Sequence, residues 1–208
     1  MSTDKKKHIF EAAIQLCYEK GFNNTSFTEI AALSSEKKAL VQYHYTTKAN
    51  LGNAIYEQYS LDQFLVFERK AKAIDDFSFV EVFIAYTLFT IDYYKTDTNA
   101  FRFYREFFSN AFEFMPLDIE QFFIDKIKDS DFDTVHTNFI SIQYALRGLI
   151  YHYVNGNIKL SQTDFYKYII RTILSDIYGP YNDEDLLKTY LLIKDKIDLH
   201  FKENFVWA

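Results

Sequence analysis

The sequence predicts an all-α protein, and three of its features support this fold class. Only 2 Pro and 5 Gly interrupt its 208 residues, so few positions force a helix to end. Apolar residues recur three and four positions apart over most of the chain, which is the spacing of one helix face. Three of these stretches open with Ser followed three residues later by Glu or Asp, the pattern of a capping box, at Ser26, Ser78 and Ser161.

Composition narrows the classes of function. Hydrophobic residues make up 49% and aromatic residues 19% of the chain, which excludes a disordered protein. The single cysteine, Cys17, excludes an internal disulfide and a cysteine-based metal site, and its apolar helical surroundings predict a core residue. The five His are scattered, and the sequence contains neither a P-loop nor an HExxH motif. We therefore predict no catalytic residues, no metal and no cofactor.

Charge and hydropathy indicate which partners to expect. The net charge is −6, but residues 1–51 hold seven Lys and only five acidic residues. Because the N-terminal part is basic and the rest of the chain is acidic, electrostatic attraction would direct the N-terminal part towards a polyanion such as DNA. No stretch has the features of a signal peptide or is long and apolar enough to span a bilayer. We therefore expect a protein of the cytoplasm with no membrane partner.

The N-terminal part is predicted to contain three helices. The first covers 5–20, and Gly21 ends it as a left-handed cap. Ser26 then opens a short helix that ends near 33–35. We expect Ser35 to cap the next helix, with Glu36 in its first turn. That helix presents an outward face of Lys, Gln, Tyr and His, side chains that bind phosphate oxygens and base edges in a nucleic-acid groove.

These two short helices resemble the helix-turn-helix of the tetracycline-repressor (TetR) family of bacterial transcription regulators. The matching residues are Thr25-Ser26, Ile30-Ala31, Tyr43-His44-Tyr45, Thr47-Lys48 and Leu51. The chain has Ser34-Ser35-Glu36 where Ala-Gly-Val is usual, Lys37-Lys38-Ala39 where Ser-Lys-Gly is usual, and Gln42 in place of the first aromatic residue. The resemblance covers residues 5–56, and Gln42 implies different base preferences.

The resemblance implies a helix-turn-helix DNA-binding domain over 1–50, joined to a helical-bundle domain for ligand binding and dimerisation over 51–208. It implies a homodimeric regulator, a repressor, that binds a two-fold operator in double-stranded DNA and is released by a small apolar or aromatic effector. DNA contacts are expected from Thr25, Ser26, Thr28, Lys37, Lys38, Gln42, Tyr43, His44 and Lys48. The lysines at 5–7 form either a flexible arm to the DNA backbone or a solvated terminus.

The second part of the chain is predicted to be a series of helices. Their ranges are about 48–72, 79–96, 100–114, 117–129, 134–155, 162–177 and 186–201. Their expected caps include Thr47, Ser78, Asp133, Ser161 and Asp183. Gly148 lies within a helix, where Gly costs about 1 kcal/mol relative to Ala, so we expect it to mark the close approach of another backbone.

An effector pocket between these helices would be apolar with a few polar groups. The candidates to line it are Phe83, Tyr86, Phe103, Tyr104, Phe107, Phe108, Phe139, Gln143 and Arg147. The alternative is that these aromatic residues simply form the core, which is their usual role at helical spacing.

Apolar residues of helix 134–155 alternate between spacings of four and three, as in paired helices. The resemblance implies that the last two long helices of the body pair with those of a second subunit. The interface candidates are Val135, Phe139, Ile142, Leu146, Leu149, Tyr153, Phe165, Ile169 and Ile173. The alternative is that these helices pack only within the subunit. The segment 183–208 is expected to cover the ligand cavity or to extend the dimer surface.

Two other classes of function stay open at this point. One is a helical small-molecule binding protein whose helix-turn-helix domain no longer binds DNA. The altered turn Ser35-Glu36 is the reason to consider it. The other is a helical enzyme that uses the aromatic cavity, for which the sequence offers no residue set.

Overall fold

The structure, a computed structural model, describes residues 2–110, 132–174 and 181–208. These residues form nine helices and one short antiparallel sheet, which confirms the predicted all-α fold class. The helices are α1 (Ser2–Lys20), α2 (Phe27–Leu33), α3 (Lys38–His44), α4 (Lys48–Lys72), α5 (Phe79–Thr96), α6 (Thr98–Asn110), α7 (Phe132–Val154), α8 (Gln162–Leu174) and α9 (Asp183–Lys196). Among the described helices, none is long and apolar enough to cross a membrane.

The described residues divide into two compact units. Unit 1 contains residues 2–63, 97–110 and 200–208, and unit 2 contains residues 64–96, 132–174 and 181–199. Helix α6 and the C-terminal residues, which the sequence assigns to the second domain, therefore belong to the same unit as α1, α2 and α3. The functional boundary at residue 50 stays a prediction.

The three predicted Ser caps are all present. At α2, the Ser26 hydroxyl accepts from the Glu29 amide (3.2 Å) and the Glu29 carboxylate accepts from the Ser26 amide (3.0 Å). At α5, the Glu81 carboxylate likewise accepts from the amide of Ser78 (2.8 Å). At α8, the hydroxyl of Ser161 accepts from the amide three residues on (3.1 Å). Each of these bonds joins residues three apart, which is why the sequence pattern locates them.

Three helix starts differ from the prediction. Asp97 accepts from the amides of Asn99 (3.0 Å) and Ala100 (2.9 Å), so α6 begins at Thr98. Asp133 is not a cap, because the chain is already helical at Phe132. Before α9, the cap is Asn182 and not Asp183, since the Asn182 side chain accepts from the Asp185 amide (2.9 Å). The predicted helix 117–129 lies outside the described residues.

The predicted extension of the last helix to residue 201 is wrong. The helix ends at Lys196, and β1 (Phe201–Lys202) pairs antiparallel with β2 (Val206–Trp207) in a short hairpin. Its turn contains Asn204 and Phe205 at φ of 59° and 64°. Two successive left-handed residues reverse the chain and cannot continue a right-handed helix.

Helix α4 passes close to α6 in unit 1. A Cβ atom on Gly52 of α4 would lie 2.7 Å from the ring of Phe107 and 2.8 Å from the ring of Phe22. Glycine at this position therefore allows the two rings to pack directly on the α4 backbone. The rings of Phe22 and Phe107 also meet edge to face, with centroids 5.6 Å apart.

Helix α5 is the centre of unit 2, and most of its side chains are buried. Its Asp92 binds a set of polar side chains that we call the Asp92 cluster, formed by Asp92, Gln162, Tyr166, Tyr190 and Lys194. Burial raises the pKa of Asp92, but hydrogen bonds from Lys194, Tyr166 and Tyr190 outweigh it and hold the pKa below its usual value. The cluster fastens α8 and α9 to α5.

The expectation for Gly148 is not met within the chain. A Cβ atom on this residue of α7 would meet nothing within 4 Å. No backbone of the described residues therefore approaches it, and the position is exposed.

Candidate nucleic-acid interface

Buried apolar residues hold α2 and α3 in place. Ile30 of α2 and Val41 of α3 have no exposed surface, and Tyr45 directly after α3 is 6% exposed. The Tyr45 ring stacks on Phe10 of α1, with centroids 6.3 Å apart. With so few buried positions in each seven-residue helix, most of the remaining side chains face solvent.

The turn between α2 and α3 keeps the left-handed conformation for which Gly is suited, although the residue is Ser35. Its φ is 57°. The Glu36 amide donates to the Ala31 carbonyl (3.0 Å) and the Ser35 amide to the Ala32 carbonyl (3.3 Å). These two bonds constitute a Schellman motif, which satisfies the last carbonyls of α2. The altered turn sequence therefore retains a regular helix-turn-helix connection.

The predicted cap of α3 is wrong. Ser35 belongs to the Schellman turn, and α3 begins only at Lys38, with Lys37 in the cap position and no side-chain cap bond. The backbone geometry of the turn, which spacing alone does not reveal, places Ser35 too far back to cap α3. Both lysines are thereby left at the start of α3 with exposed side chains.

One face of α3 is free for a partner. Lys38, Ala39, Gln42 and Tyr43 are all exposed, and Tyr43 has 78% of its surface exposed. Among the described residues, neither Lys37 nor Lys38 forms an ion pair. The face thus offers cationic groups for phosphate, a Gln amide that can bond adenine, and a methyl group that can contact thymine.

Lysines neutralise the acidic side chains beside this face. The Lys5 ammonium lies 3.0 Å from the Glu36 carboxylate, and Lys20 lies 2.9 Å from Glu29. The residues 5–7 are part of α1, so the predicted flexible arm is instead helical and Lys5 is engaged with the turn. Its pairing with Glu36 removes a negative charge from the surface next to α3.

Three predicted DNA contacts are less available than expected. Thr25 is 2% exposed and its hydroxyl donates to the Gly21 carbonyl (2.8 Å), so its role is to close the α1–α2 connection. Lys48 donates to the Asn23 carbonyl (3.0 Å), and burial lowers its pKa. The hydroxyl of Ser26 is exposed but engaged in the capping box. Of the other predicted residues, Thr28 is exposed and His44 is half-buried.

The sequence missed two residues of α6 that fix the end of α1. Arg102 donates to the carbonyls of Tyr18 (2.9 Å) and Glu19 (2.7 Å), and Glu106 accepts from the Asn23 amide (2.8 Å). These bonds connect residues more than 80 positions apart. No local pattern marks such pairs, so sequence spacing does not reveal them.

Several solved structures match the fold over most of their length. RolR, without ligand, matches with a TM-score of 0.61 at 13% identity, over 89% of this chain and 96% of that chain. The multidrug binding protein EbrR, complexed with imidazole, matches with a TM-score of 0.56 at 15% identity, over 86% and 93%. NalD of Pseudomonas aeruginosa, the secondary repressor of the MexAB-OprM multidrug efflux pump, matches with a TM-score of 0.50 at 17% identity, over 87% and 100%.

These three proteins have the all-α TetR fold. The chain has the TetR fold. No protein-family model matches the chain, and no curated protein matches it in sequence. The likeness at these identities therefore establishes the TetR fold, and the resemblance in the helix-turn-helix agrees with it.

The predicted effector residues do not lie together in one unit of this TetR fold. Unit 1 contains Phe103, Tyr104, Phe107 and Phe108, and unit 2 contains Phe83, Tyr86 and Arg147. Phe103 and Phe107 are almost fully buried and pack with Phe22, so in unit 1 they are core residues. The side chains of Phe139 and Gln143 lie outside the described part of the structure.

Most of the predicted dimer residues pack within the single chain. Phe165, Ile169 and Ile173 have no exposed surface, and Ile142 and Leu146 are also buried. Tyr153 is half-buried and stacks on Phe165, with ring centroids 3.7 Å apart. Leu149 is also half-buried. The side chains of Val135 and Phe139 lie outside the described part of the structure. These buried residues pack within the single chain, and their place in a dimer interface stays a prediction. Among the α7 side chains that the structure describes, the exposed ones are Ser141, Tyr144, Ala145, Gly148 and His152.

Proposed function

We propose that this chain is a DNA-binding transcriptional regulator of the TetR type. The observation that carries the proposal is the exposed face of α3, with Lys38, Gln42 and Tyr43 presented next to a regular Schellman turn. A short helix with few buried anchors and unengaged Lys and Gln side chains fits the major groove. The regular turn argues against the alternative that the helix-turn-helix domain no longer binds DNA.

Different side chains of this face contact the DNA phosphates and the base edges. Lys37 and Lys38 neutralise phosphates and supply affinity that is independent of sequence and falls with salt. Gln42 can donate to and accept from adenine in one bidentate contact, worth about 1–3 kcal/mol of discrimination against another base. Tyr43, at the outer end of the face, can bond a phosphate oxygen.

Footprinting the purified chain on DNA that flanks its own gene, across a salt series, tests this proposal. We expect a two-fold symmetric footprint that weakens steeply with salt. Lys38→Ala should weaken binding to every sequence and reduce the salt slope by about one, whereas Gln42→Ala should change the base preference. Lys188→Ala, which removes an exposed lysine of α9, is the control. No binding by the folded wild-type chain at low salt would contradict the proposal.

The regulator acts as a homodimer in this proposal, through the exposed face of α7. Small residues at Ala145 and Gly148 allow a second backbone to come close, and the exposed Tyr144 and Tyr168 supply apolar area at its edges. Sedimentation tests this: Gly148→Trp should produce a monomer with weaker operator binding. Leu191→Arg, an exposed change on α9, should leave both unchanged, and a dimer in both variants would contradict the assignment.

A small effector releases the DNA in this proposal, and unit 2 supplies the candidates to bind it. Phe83, Tyr86 and Arg147 are nearly buried in that unit, a combination that suits a planar apolar molecule with one anionic or carbonyl group. The effector must bind the DNA-free conformation more tightly, or it cannot shift the equilibrium. Screening planar compounds for loss of the footprint, with Arg147→Met and Phe83→Ala as variants, tests the assignment.

A further inference from the structure

The C-terminal hairpin, β1 and β2, inserts an aromatic anchor into unit 1. Phe205 is 1% exposed. Its ring stacks on Tyr59 of α4 (4.7 Å between centroids, 19°) and meets Tyr18 of α1 (5.1 Å) and Phe103 of α6 (5.1 Å). The Phe205 carbonyl accepts from Gln63 (2.7 Å). One residue of the hairpin thus packs on three helices of the unit that contains α2 and α3.

The hairpin holds Phe205 in a backbone conformation that a bulky residue rarely adopts. Asn204 and Phe205 both have positive φ, 59° and 64°, and only Gly accepts such values without steric cost. The surroundings must therefore impose this conformation. The ring contacts, the Gln63 bond and the mutual backbone bonds of His200 and Ala208 (2.8 and 2.9 Å) do so. Loss of any of these restraints favours release of the anchor.

A short link connects this anchor to α9 in unit 2. Only residues 197–200 separate the end of α9 from β1, and four residues span at most about 14 Å. Helix α9 itself is fastened by the Asp92 cluster, in which Tyr190 donates to Asp92 (2.6 Å) and Lys194 pairs with the same carboxylate. The link is therefore anchored at each end, and Lys70 of α4 also donates to the Asp198 carbonyl within it.

We propose that the C-terminal hairpin is a clasp that couples α9 to the DNA-binding unit through Tyr18, Tyr59 and Phe103. Release of α9 from Asp92 frees one end of the link, and Phe205, whose left-handed backbone depends on its surroundings, then leaves Tyr18, Tyr59 and Phe103. These helices then lose the ring that joins them, and the head changes its affinity for DNA. The effect on DNA rests on the proposed function, whereas the coupling between α9 and Phe205 does not.

Trp207 provides a direct readout of the clasp. It is the only tryptophan of the chain, is 4% exposed, and lies in β2 two residues from Phe205. Lys194→Met in the full chain removes the ammonium from Asp92 and keeps a side chain of similar length. We expect Trp207 emission to shift to longer wavelength and the hairpin amides to exchange about tenfold faster, the factor that corresponds to one lost charged hydrogen bond.

The matched control is Lys188→Met on the same helix, since Lys188 is 74% exposed and pairs only locally with Asp185. It should leave Trp207 unchanged. If Lys194→Met leaves the Trp207 emission and the hairpin exchange as in the wild type, the coupling does not exist, whether or not α9 itself loosens. Tyr190→Phe, which removes one hydroxyl from Asp92 without changing the core volume, replaces Lys194→Met if that variant does not fold.

The reverse direction is a second test, because coupling between two sites is reciprocal. Phe205→Ala should speed amide exchange in α9, whereas Val206→Ala, at an exposed position of the same hairpin, should not. Equal exchange in both variants would overturn the clasp. Phe205→Ala should also change the operator affinity relative to Val206→Ala. If the wild-type chain does not bind DNA, the proposed function fails, but the fluorescence and exchange results still decide the coupling.

Discussion

In unit 1 the polar side chains of α3 face solvent, whereas in unit 2 those of the Asp92 cluster bind one another. The backbone around α3 is fixed by bonds between residues three to five apart, as in the turn at Ser35. Asp92 instead binds partners 70 to 102 positions away in the sequence. A surface that binds a partner keeps its side chains available and fixes its backbone locally. Polar groups inside a helical bundle must satisfy each other across helices.

Removing the centre of the Asp92 cluster should have the largest effect. Asp92→Ala leaves the Lys194 ammonium and two buried tyrosine hydroxyls without their acceptor, and should cost about 3 kcal/mol in the free energy of unfolding. Removing a local cap by Ser78→Ala should cost about 1 kcal/mol. Urea unfolding of both variants measures the difference. Equal losses would mean that the long-range cluster contributes no more than a cap.

Two glycines within helices should respond in opposite directions. Gly52→Ala places a methyl group 2.7 Å from the Phe107 ring, and should destabilise unit 1 by about 1–3 kcal/mol. Gly148→Ala meets no described atom of its own chain within 4 Å and should stabilise α7 of the monomer by up to about 1 kcal/mol. Thermal unfolding at a fixed protein concentration compares them. Destabilisation by Gly148→Ala, together with loss of the dimer, would locate the second subunit at this glycine.

The same contrast explains which parts of the fold the sequence could predict. The caps at Ser26, Ser78 and Ser161 depend on residues three apart, so the pattern located them. Tertiary packing determines the Asp92 cluster, the Arg102 bonds to α1 and the aromatic contacts of Phe205. No sequence spacing indicates them. Lys37, Lys38, Gln42 and Tyr43 were predicted as a surface and are exposed, because a helix with few apolar positions leaves the rest in solvent.

The errors have the same origin. Ser35 was expected to cap α3, but the Schellman turn places it at a left-handed φ, a choice that the residue type alone does not reveal. Thr25 belongs to the matching family pattern, yet its hydroxyl is turned inward to Gly21. The last helix was expected to run to residue 201 because Ile197 continues the apolar spacing of α9, but it ends at Lys196. In each case, the conformation was decided by backbone geometry or contacts that residue type and spacing do not show.

A smaller effect on stability is expected in the turn between α2 and α3, whose conformation is set by local backbone bonds. In Ser35→Gly, the steric cost of a Cβ atom in the left-handed conformation is removed, so the variant should be more stable by about 1 kcal/mol. Ser34 is the control, since its φ of −77° is right-handed and Ser34→Gly should destabilise slightly. Chemical unfolding measures both. If Ser35→Gly gives no gain, the turn is not strained, and the family preference for Gly at this position has another cause.

The smallest effect is expected for the partly exposed Glu29 of the α2 capping box. Hydrogen bonds from Lys20 and Ser26 lower its pKa to about 2, from 4.5. Because the folded pKa is the lower one, the stabilisation is complete above pH 4.5 and is lost as the pH falls towards 2. Glu29→Gln should therefore be less stable than the wild type at pH 7 and equally stable near pH 2. A stability difference that does not change with pH would mean that the Glu29 contribution comes from packing or helix propensity, and that its charge has no part in fixing α2.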